Sequence, residues 1–211
     1  MNEDIRAAVQ RLKRERIIAA AVELFYLRGF GRTTLDQVAG RMGVSKPFIY
    51  VHFRSKGELL AAICGQGIGV SLEAIDRALA ADGPERDKLA AFAHDFMLAA
   101  LDKRKHITIY TREEKMLASA DREAIARKRR EFDRKLASLL DEGVGNGEFD
   151  IAETPPAALA IGGIASWASV WFRPGGRLTA QEIAYRTVPL VLSMVNGAAP
   201  VAGRDSRRGR A

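Results

Sequence analysis

The chain has 211 residues, 47% of them apolar on a broad count, and a net charge of +7; that suits one large globular domain or two small ones and argues against a disordered chain. Cys64 is the only cysteine, which excludes an intrachain disulfide and any Cys-rich metal site. The opening MNEDIRAAVQRLKRER is charged and lacks the apolar stretch of a signal peptide, and no uninterrupted apolar run approaches the roughly 18 residues that a bilayer span needs, so a cytoplasmic protein with no membrane partner is expected.

Strand-period alternation is absent, and the helical period dominates almost everywhere. A first helix is predicted over about 8–28. Its apolar residues Ile17, Ala21, Leu24 and Phe25 form one stripe, and Gly29 ends it as a C-cap glycine would. Thr34 is placed to cap a short helix over 35–42, which Gly43 breaks. Ser45 then caps a third helix, with Pro47 tolerated in its first turn, that ends near Phe53. Ser55 caps a longer helix over about 56–81, with Glu58 favourably placed in its first turn. Residues 1–60 hold eleven Lys and Arg against six Asp and Glu, a local excess of +5 that suggests a polyanionic partner, although a module of that charge is also ordinary.

Asp82-Gly83-Pro84 marks a break, and helices are predicted beyond it at about 85–101, 104–118, 121–142, 154–172 and 179–196. Gly143, Gly145 and Gly147 punctuate one break, Pro174-Gly175-Gly176 another, and Pro189 should kink the last helix. The small, basic stretch 198–211 is expected to be a disordered tail. The fold class is therefore all-α, with about nine helices. Residues 8–55 form a helix-turn-helix head, and residues 56–197 a helical body.

Two short helices joined by a tight turn and packed on a longer one make a helix-turn-helix, whose second helix enters the DNA major groove. Here that helix is SKPFIYVHF. Lys46 projects from its start toward a base or a phosphate, the Ser45 hydroxyl can approach a phosphate, and Phe48 can touch a thymine methyl. Tyr50 and His52 carry polar tips suited to phosphate oxygens, while Ile49 and Phe53 face the core. Arg11, Lys13 and Arg14 either track the DNA backbone or form a solvated face.

The stretch FYLRGFGRTTLDQVAGRMGVSKPFIYVHFRSKGELL resembles the N-terminal domain of the TetR family of bacterial regulators. The pattern is carried by Gly29-Phe30, Thr33-Thr34, Val38-Ala39, Gly43-Val44-Ser45, Tyr50, His52-Phe53, Ser55-Lys56 and Leu59-Leu60. The resemblance implies that Thr33 or Thr34 and Gln37 approach the DNA backbone, that Ser45, Lys46, Pro47, Phe48, Tyr50 and His52 form the recognition surface, and that Lys56 meets a phosphate. The chain departs from the common family pattern at Phe48 and Val51. The resemblance further implies a ligand-binding and dimerisation body, and the function expected is that of a homodimeric repressor on a palindromic operator, released by a small apolar or amphipathic effector. No catalytic constellation is found in the sequence, so no cofactor, metal or enzymatic role is expected.

For the dimer, the small residues Ala158, Gly162, Ala165 and Ser169 recur at steps of four or three. Paired with Ile183, Thr187 and Val191, they form a candidate four-helix seam, or else an intrachain face. The block WASVWFRPGGRLTAQEIA, with Trp167 and Trp171 four apart, is similar to one in family members that respond to acyl-CoA thioesters. By that similarity the two tryptophans are candidate pocket or interface residues, and Tyr110, Arg112 and Glu113 candidate polar groups of the effector site. Cations at 127–130, 134 and 135 would suit CoA phosphates, or form a solvated face. The glycines of Gly65-x-Gly67-x-Gly69 fall inside a helix with no preceding strand, so they are not a dinucleotide fingerprint, and they soften that helix. The three histidines show no metal-like spacing. Two other readings stay open: a DNA-binding protein without an effector, and an enzyme acting on acyl thioesters.

Overall fold

A computed structural model describes residues 2–196; the basic tail predicted at 198–211 lies outside the described residues. Among them are nine α-helices, one 3-10 turn and no strand beyond an isolated bridge between Asp150 and Asn196. In chain order the helices are α1 (Asn2–Arg28), α2 (Leu35–Met42), α3 (Lys46–His52), α4 (Lys56–Ala80), α5 (Glu85–Asp102), α6 (Arg104–Glu113), α7 (Ser119–Gly145), α8 (Thr154–Trp171) and α9 (Ala180–Met194).

The helix ends follow local chemistry. Gly29 adopts φ +84 and its N–H donates to Phe25 O, closing α1. Thr34 and Gln37 form a reciprocal capping box at the start of α2, and Gly43 at φ +67 ends it. Thr179 and Glu182 form a second capping box on α9, which runs through Pro189. Three boundaries differ from expectation. Helix α1 begins at Asn2 instead of near residue 8. The helix expected over 104–118 stops at Glu113 and passes through a 3-10 turn, Glu114–Met116, with no glycine or proline to announce it. Helix α7 starts at Ser119 and continues through Gly143 to Gly145, so the turn belongs to Gly147, at φ +75.

Two apolar cores meet along α4. The head core gathers Ile17, Ala21, Phe25, Val38, Ile49, Phe53, Leu59 and Leu60, and it also takes in Ile109, Leu117 and Ile125 from the body. The body core joins the second half of α4 to α5, α7, α8 and α9 around Phe92, Leu89, Leu136 and Ile161. The expectation that no segment is apolar enough for a bilayer needs correction for α4, whose length and composition would suffice. Its Leu59, Leu60, Ile63, Ala74 and Ile75 are buried in these two cores instead.

Candidate DNA-binding head and effector cavity

Helix α3 is set on the head by Ile49, buried beneath it, and by Phe53, its buried C-cap residue. Arg14 of α1 donates to the His52 carbonyl at the C-terminal end of α3, where a cation also meets the helix dipole, and lies 4.1 Å over the Phe53 ring. The opposite face of α3 is left to solvent. Lys46, Pro47, Tyr50 and Val51 are exposed there, with Ser45 just before them, and the Ser45 hydroxyl makes no capping bond. Thr34 and Gln37 at the start of α2 are exposed beside it.

Several candidate contacts lie elsewhere. Thr33 is fully buried, and its hydroxyl donates to Gly29 O at 2.9 Å, so it closes the α1–α2 turn and cannot present itself to DNA. His52 is buried against Phe48, ring centroids 5.3 Å apart, which corrects its reading as a phosphate ligand. Burial, with Lys13 and Arg14 nearby, holds its imidazole below the ordinary histidine range. Phe48 is half-buried under Lys13, 5.9 Å from its ammonium. Lys46 is exposed but paired with Asp36 at 2.9 Å. Lys56 donates to Phe30 O and Thr33 O, each at 2.8 Å, and sits 4.3 Å from the Phe30 ring, so one of its three protons remains for a phosphate.

A cavity of about 290 Å³ lies in the body, walled by all of α4 to α8. Its apolar lining includes Ile68, Phe96, Ile125 and Phe132; its polar groups include Tyr110, His106, Arg129 and Asp133. Tyr110 donates to Glu114 at 2.9 Å, with the Arg129 guanidinium 5.5 Å from its ring. Burial raises the Asp133 carboxyl above its ordinary range, against the pull of Arg129. Burial, partly offset by Asp102, drops His106 to about 4, and its Nδ1 has no hydrogen-bond partner. A second, outer cleft lies across α4 and is lined by Ala61, Gly65, Gly69, Glu15 of α1 and Lys128 of α7. Gly67 faces the cavity and Gly65 and Gly69 the cleft, so the glycine-rich turn of α4 is the partition between them.

Of Tyr110, Arg112, Glu113, Trp167 and Trp171, Tyr110 alone reaches the cavity. Arg112 and Glu113 turn the other way, toward the head. Arg112 donates to Phe25 O at 2.6 Å and Tyr26 O at 3.2 Å, and Glu113 accepts the Phe30 N–H at 3.1 Å. Trp167 and Trp171 are 65% and 48% exposed and do not line the cavity, which corrects their reading as pocket residues. The expected dimer seam also turns inward. Ala158, Ala165, Ile183, Thr187 and Val191 are buried within the chain's own core, Gly162 lines the cavity, and Ser169 is half-buried, bonding to Ser166 O. The solvent side of α8 and α9 instead carries Leu159, Trp167, Val170, Trp171, Tyr185 and Leu190, each at least 48% exposed. Of the basic cluster on α7, Arg129 lines the cavity and Lys128 the cleft; Arg127 pairs with Glu123, and Lys135 with Asp76 and Glu131. His106 was missed because nothing in its sequence neighbourhood distinguishes it from a solvated histidine; its place in the cavity wall depends on α4, where Gly67 lies against its Cβ.

Comparison with known proteins bears on both halves of the chain. Residues 17–63 match the model for bacterial regulatory proteins of the tetR family, and residues 82–195 match a tetracyclin repressor-like C-terminal domain. The transcriptional repressor KstR2 of Mycolicibacterium smegmatis is 24% identical over 182 residues, 85% of this chain and 89% of its own length. Other curated regulators match over 57–60 residues, with between 21% and 42% of their own lengths covered. Among solved structures, a tetR-family regulatory protein from Rhodococcus RHA1 superposes with a TM-score of 0.79 at 30% identity, covering 89% of this chain and 98% of that one. AibR, solved with isovaleryl coenzyme A and operator DNA, shares the fold at 23% identity and a TM-score of 0.72, covering 84% of this chain and 97% of that one.

Proposed function

This chain belongs to the TetR family of bacterial regulatory proteins, and on that premise we propose that it is a repressor that binds a palindromic operator as a homodimer and leaves it when a small amphipathic effector, a short-chain acyl-CoA, enters the body. The observation that carries the reading is the double attachment of α6. Tyr110 lines the cavity, and two and three residues further on Arg112 and Glu113 are bonded to the main chain of the head. A ligand that displaces α6 therefore displaces the support of α1, and with it the spacing of two heads across a dimer.

The cavity's size and lining support the effector class. About 290 Å³ is at the lower end of the roughly 300–1,000 Å³ typical of ligand sites. It suits a short acyl group against Ile68, Phe96 and Phe132, with the thioester and polar remainder toward Arg129 and Tyr110. AibR, a relative in fold, is solved with isovaleryl coenzyme A and operator DNA bound. Two copies join through the solvent side of α8 and α9, where burying Trp167, Val170, Trp171, Tyr185 and Leu190 removes a large apolar patch from water. Operator contact uses Thr34, Gln37, Ser45, Lys46, Pro47, Tyr50 and Lys56.

The test is a gel shift with the full chain and duplex from its own upstream region, titrated with isovaleryl-CoA, other acyl-CoAs and free CoA. Release by short acyl-CoAs alone is expected, because only differential affinity for the two states can shift the equilibrium. Operator affinity that no acyl-CoA alters overturns the effector reading and favours a ligand-independent DNA-binding protein. Intact acyl-CoA recovered after incubation is expected; its turnover would place the chain among thioester-processing enzymes.

A further inference from the structure

We propose that Val51 is the residue through which α3 discriminates bases, by contact with thymine methyl groups in the major groove. The inference rests on the DNA-binding role of the head and assigns a specificity determinant within it.

Helix α3 reads KPFIYVH and contains no Arg, Asn or Gln, the side chains that make most bidentate hydrogen bonds to guanine or adenine edges. Its remaining hydrogen-bonding side chains are otherwise engaged or badly placed. Lys46 is held at 2.9 Å by Asp36. His52 is buried on the core side, and Phe48 packs edge-on against it. Tyr50, 46% exposed, carries one hydroxyl on an apolar ring, a polar tip suited to a phosphate oxygen.

What the face offers the groove floor is apolar. Val51 is 77% exposed, more than any other large apolar residue among those described, including those of the α8–α9 face. Pro47 lies one turn earlier on the same side, also exposed. An aliphatic side chain this exposed adds little to the packing of the head. The major-groove edge of a base pair has one apolar feature, the thymine C5 methyl. Val51 matches it in size and lacks any polar atom that a different base could satisfy. The thymine-reading role that its aromatic ring suggests for Phe48 therefore falls to Val51.

The experiment uses the full-length protein and a duplex enriched by it from a random-sequence library. Each thymine of the enriched half-site is replaced in turn by deoxyuridine, which removes only the C5 methyl, and affinity is measured at constant salt. Loss of one buried methyl corresponds to about fourfold in affinity per half-site. The expected result is such a loss at one or two thymines per half-site for the wild type, and none at those positions for Val51→Ala. Val51→Thr, which keeps the shape, should retain part of the effect. Both variants should bind an unrelated duplex as the wild type does and with the same salt slope, since phosphate contacts are untouched. Deoxyuridine effects that are absent, or that persist unchanged in Val51→Ala, overturn the proposal. Loss of binding to unrelated duplex in Val51→Ala also overturns it, by showing that Val51 supports the helix itself. Failure to enrich any duplex defeats the DNA-binding role and this inference with it.

Discussion

The Lys105 ammonium of α6 reaches the Glu23 carboxylate of α1, 2.6 Å from its Oε2, and forms an ion-paired tie between body and head beside the hydrogen bond that the Glu113 carboxylate accepts from the Phe30 amide. Both side chains are partly solvated, at 25% and 34% exposure, so the pair contributes no more than about 1 kcal/mol to folding. Its larger effect is expected on coupling. Glu23→Gln should lower the melting temperature by no more than about 4 °C, while raising the effector concentration needed for half-release of DNA, because α6 then moves with less pull on α1. Titration of the DNA complex with effector, alongside a thermal melt, separates the two effects. An unchanged release curve removes this tie from the coupling path.

Gly143 lies under the Phe149 ring, and a Cβ built on it would stand 2.1 Å from Phe149 Cδ2. Helix α7 can pass this point only because the residue has no side chain. Gly143→Ala must push the ring out of the body core, and overpacking of this kind costs about 1–3 kcal/mol. Denaturant melts should show that loss. Phe149→Leu combined with Gly143→Ala should recover part of it.

Lys56 joins two carbonyls of the α1–α2 turn, so Lys56→Ala is expected to act twice. Two charge-assisted hydrogen bonds disappear, at a cost of about 2 kcal/mol to the head. The salt dependence of DNA affinity should also flatten by about one unit of slope, on every sequence alike, if the remaining proton meets a phosphate. A stability loss with an unchanged slope would make Lys56 a structural residue alone.

Caps and turns were readable from the sequence because they are local. Gly29, Thr34, Gly43 and Thr179 each settle a helix end through bonds to residues a few positions away. Faces were harder. Small residues occupy both sides of α8, so a stripe of Ala158, Gly162 and Ala165 suits an interface as well as a core; only the packing of α5 and α7 against it, distant in sequence, selects the core. The same limit separated Tyr110 from Arg112 and Glu113. Two residues along a helix carry a side chain to the opposite face, as from Tyr110 to Arg112, whereas three return it close to the first face, so Glu113 is set apart from Tyr110 by its bond to the Phe30 N–H; sequence spacing does not say which neighbour is where.

His106 makes stability depend on pH. Burial holds its imidazole neutral down to about 4, whereas an unfolded chain protonates it near 6.5. The folded pKa is the lower one, so the contribution is complete above pH 6.5 and is lost as pH falls toward 4. At about 1.4 kcal/mol per pH unit, that is roughly 3 kcal/mol. Unfolding free energies measured from pH 7 to 4 should fall more steeply for the wild type than for His106→Asn; parallel curves would show that His106 stays solvated.

The wall between cavity and cleft is one turn of α4, and it is almost bare. Beyond the adjoining residues and the helix's own backbone, no heavy atom among the described residues stands within 4 Å of a Cβ built on Gly65 or Gly69, and Gly67 meets only the His106 Cβ, at 3.7 Å. Most helices in a packed protein cannot bow without first evicting a neighbour. This one opens on the cleft at Gly65 and Gly69, where no side chain is packed against the glycine, so a molecule pressing from within meets little resistance at those two positions. The motion would show itself as faster amide hydrogen exchange at residues 65–69 than at the α4 turns on either side, and it would quicken or slow as the cavity fills.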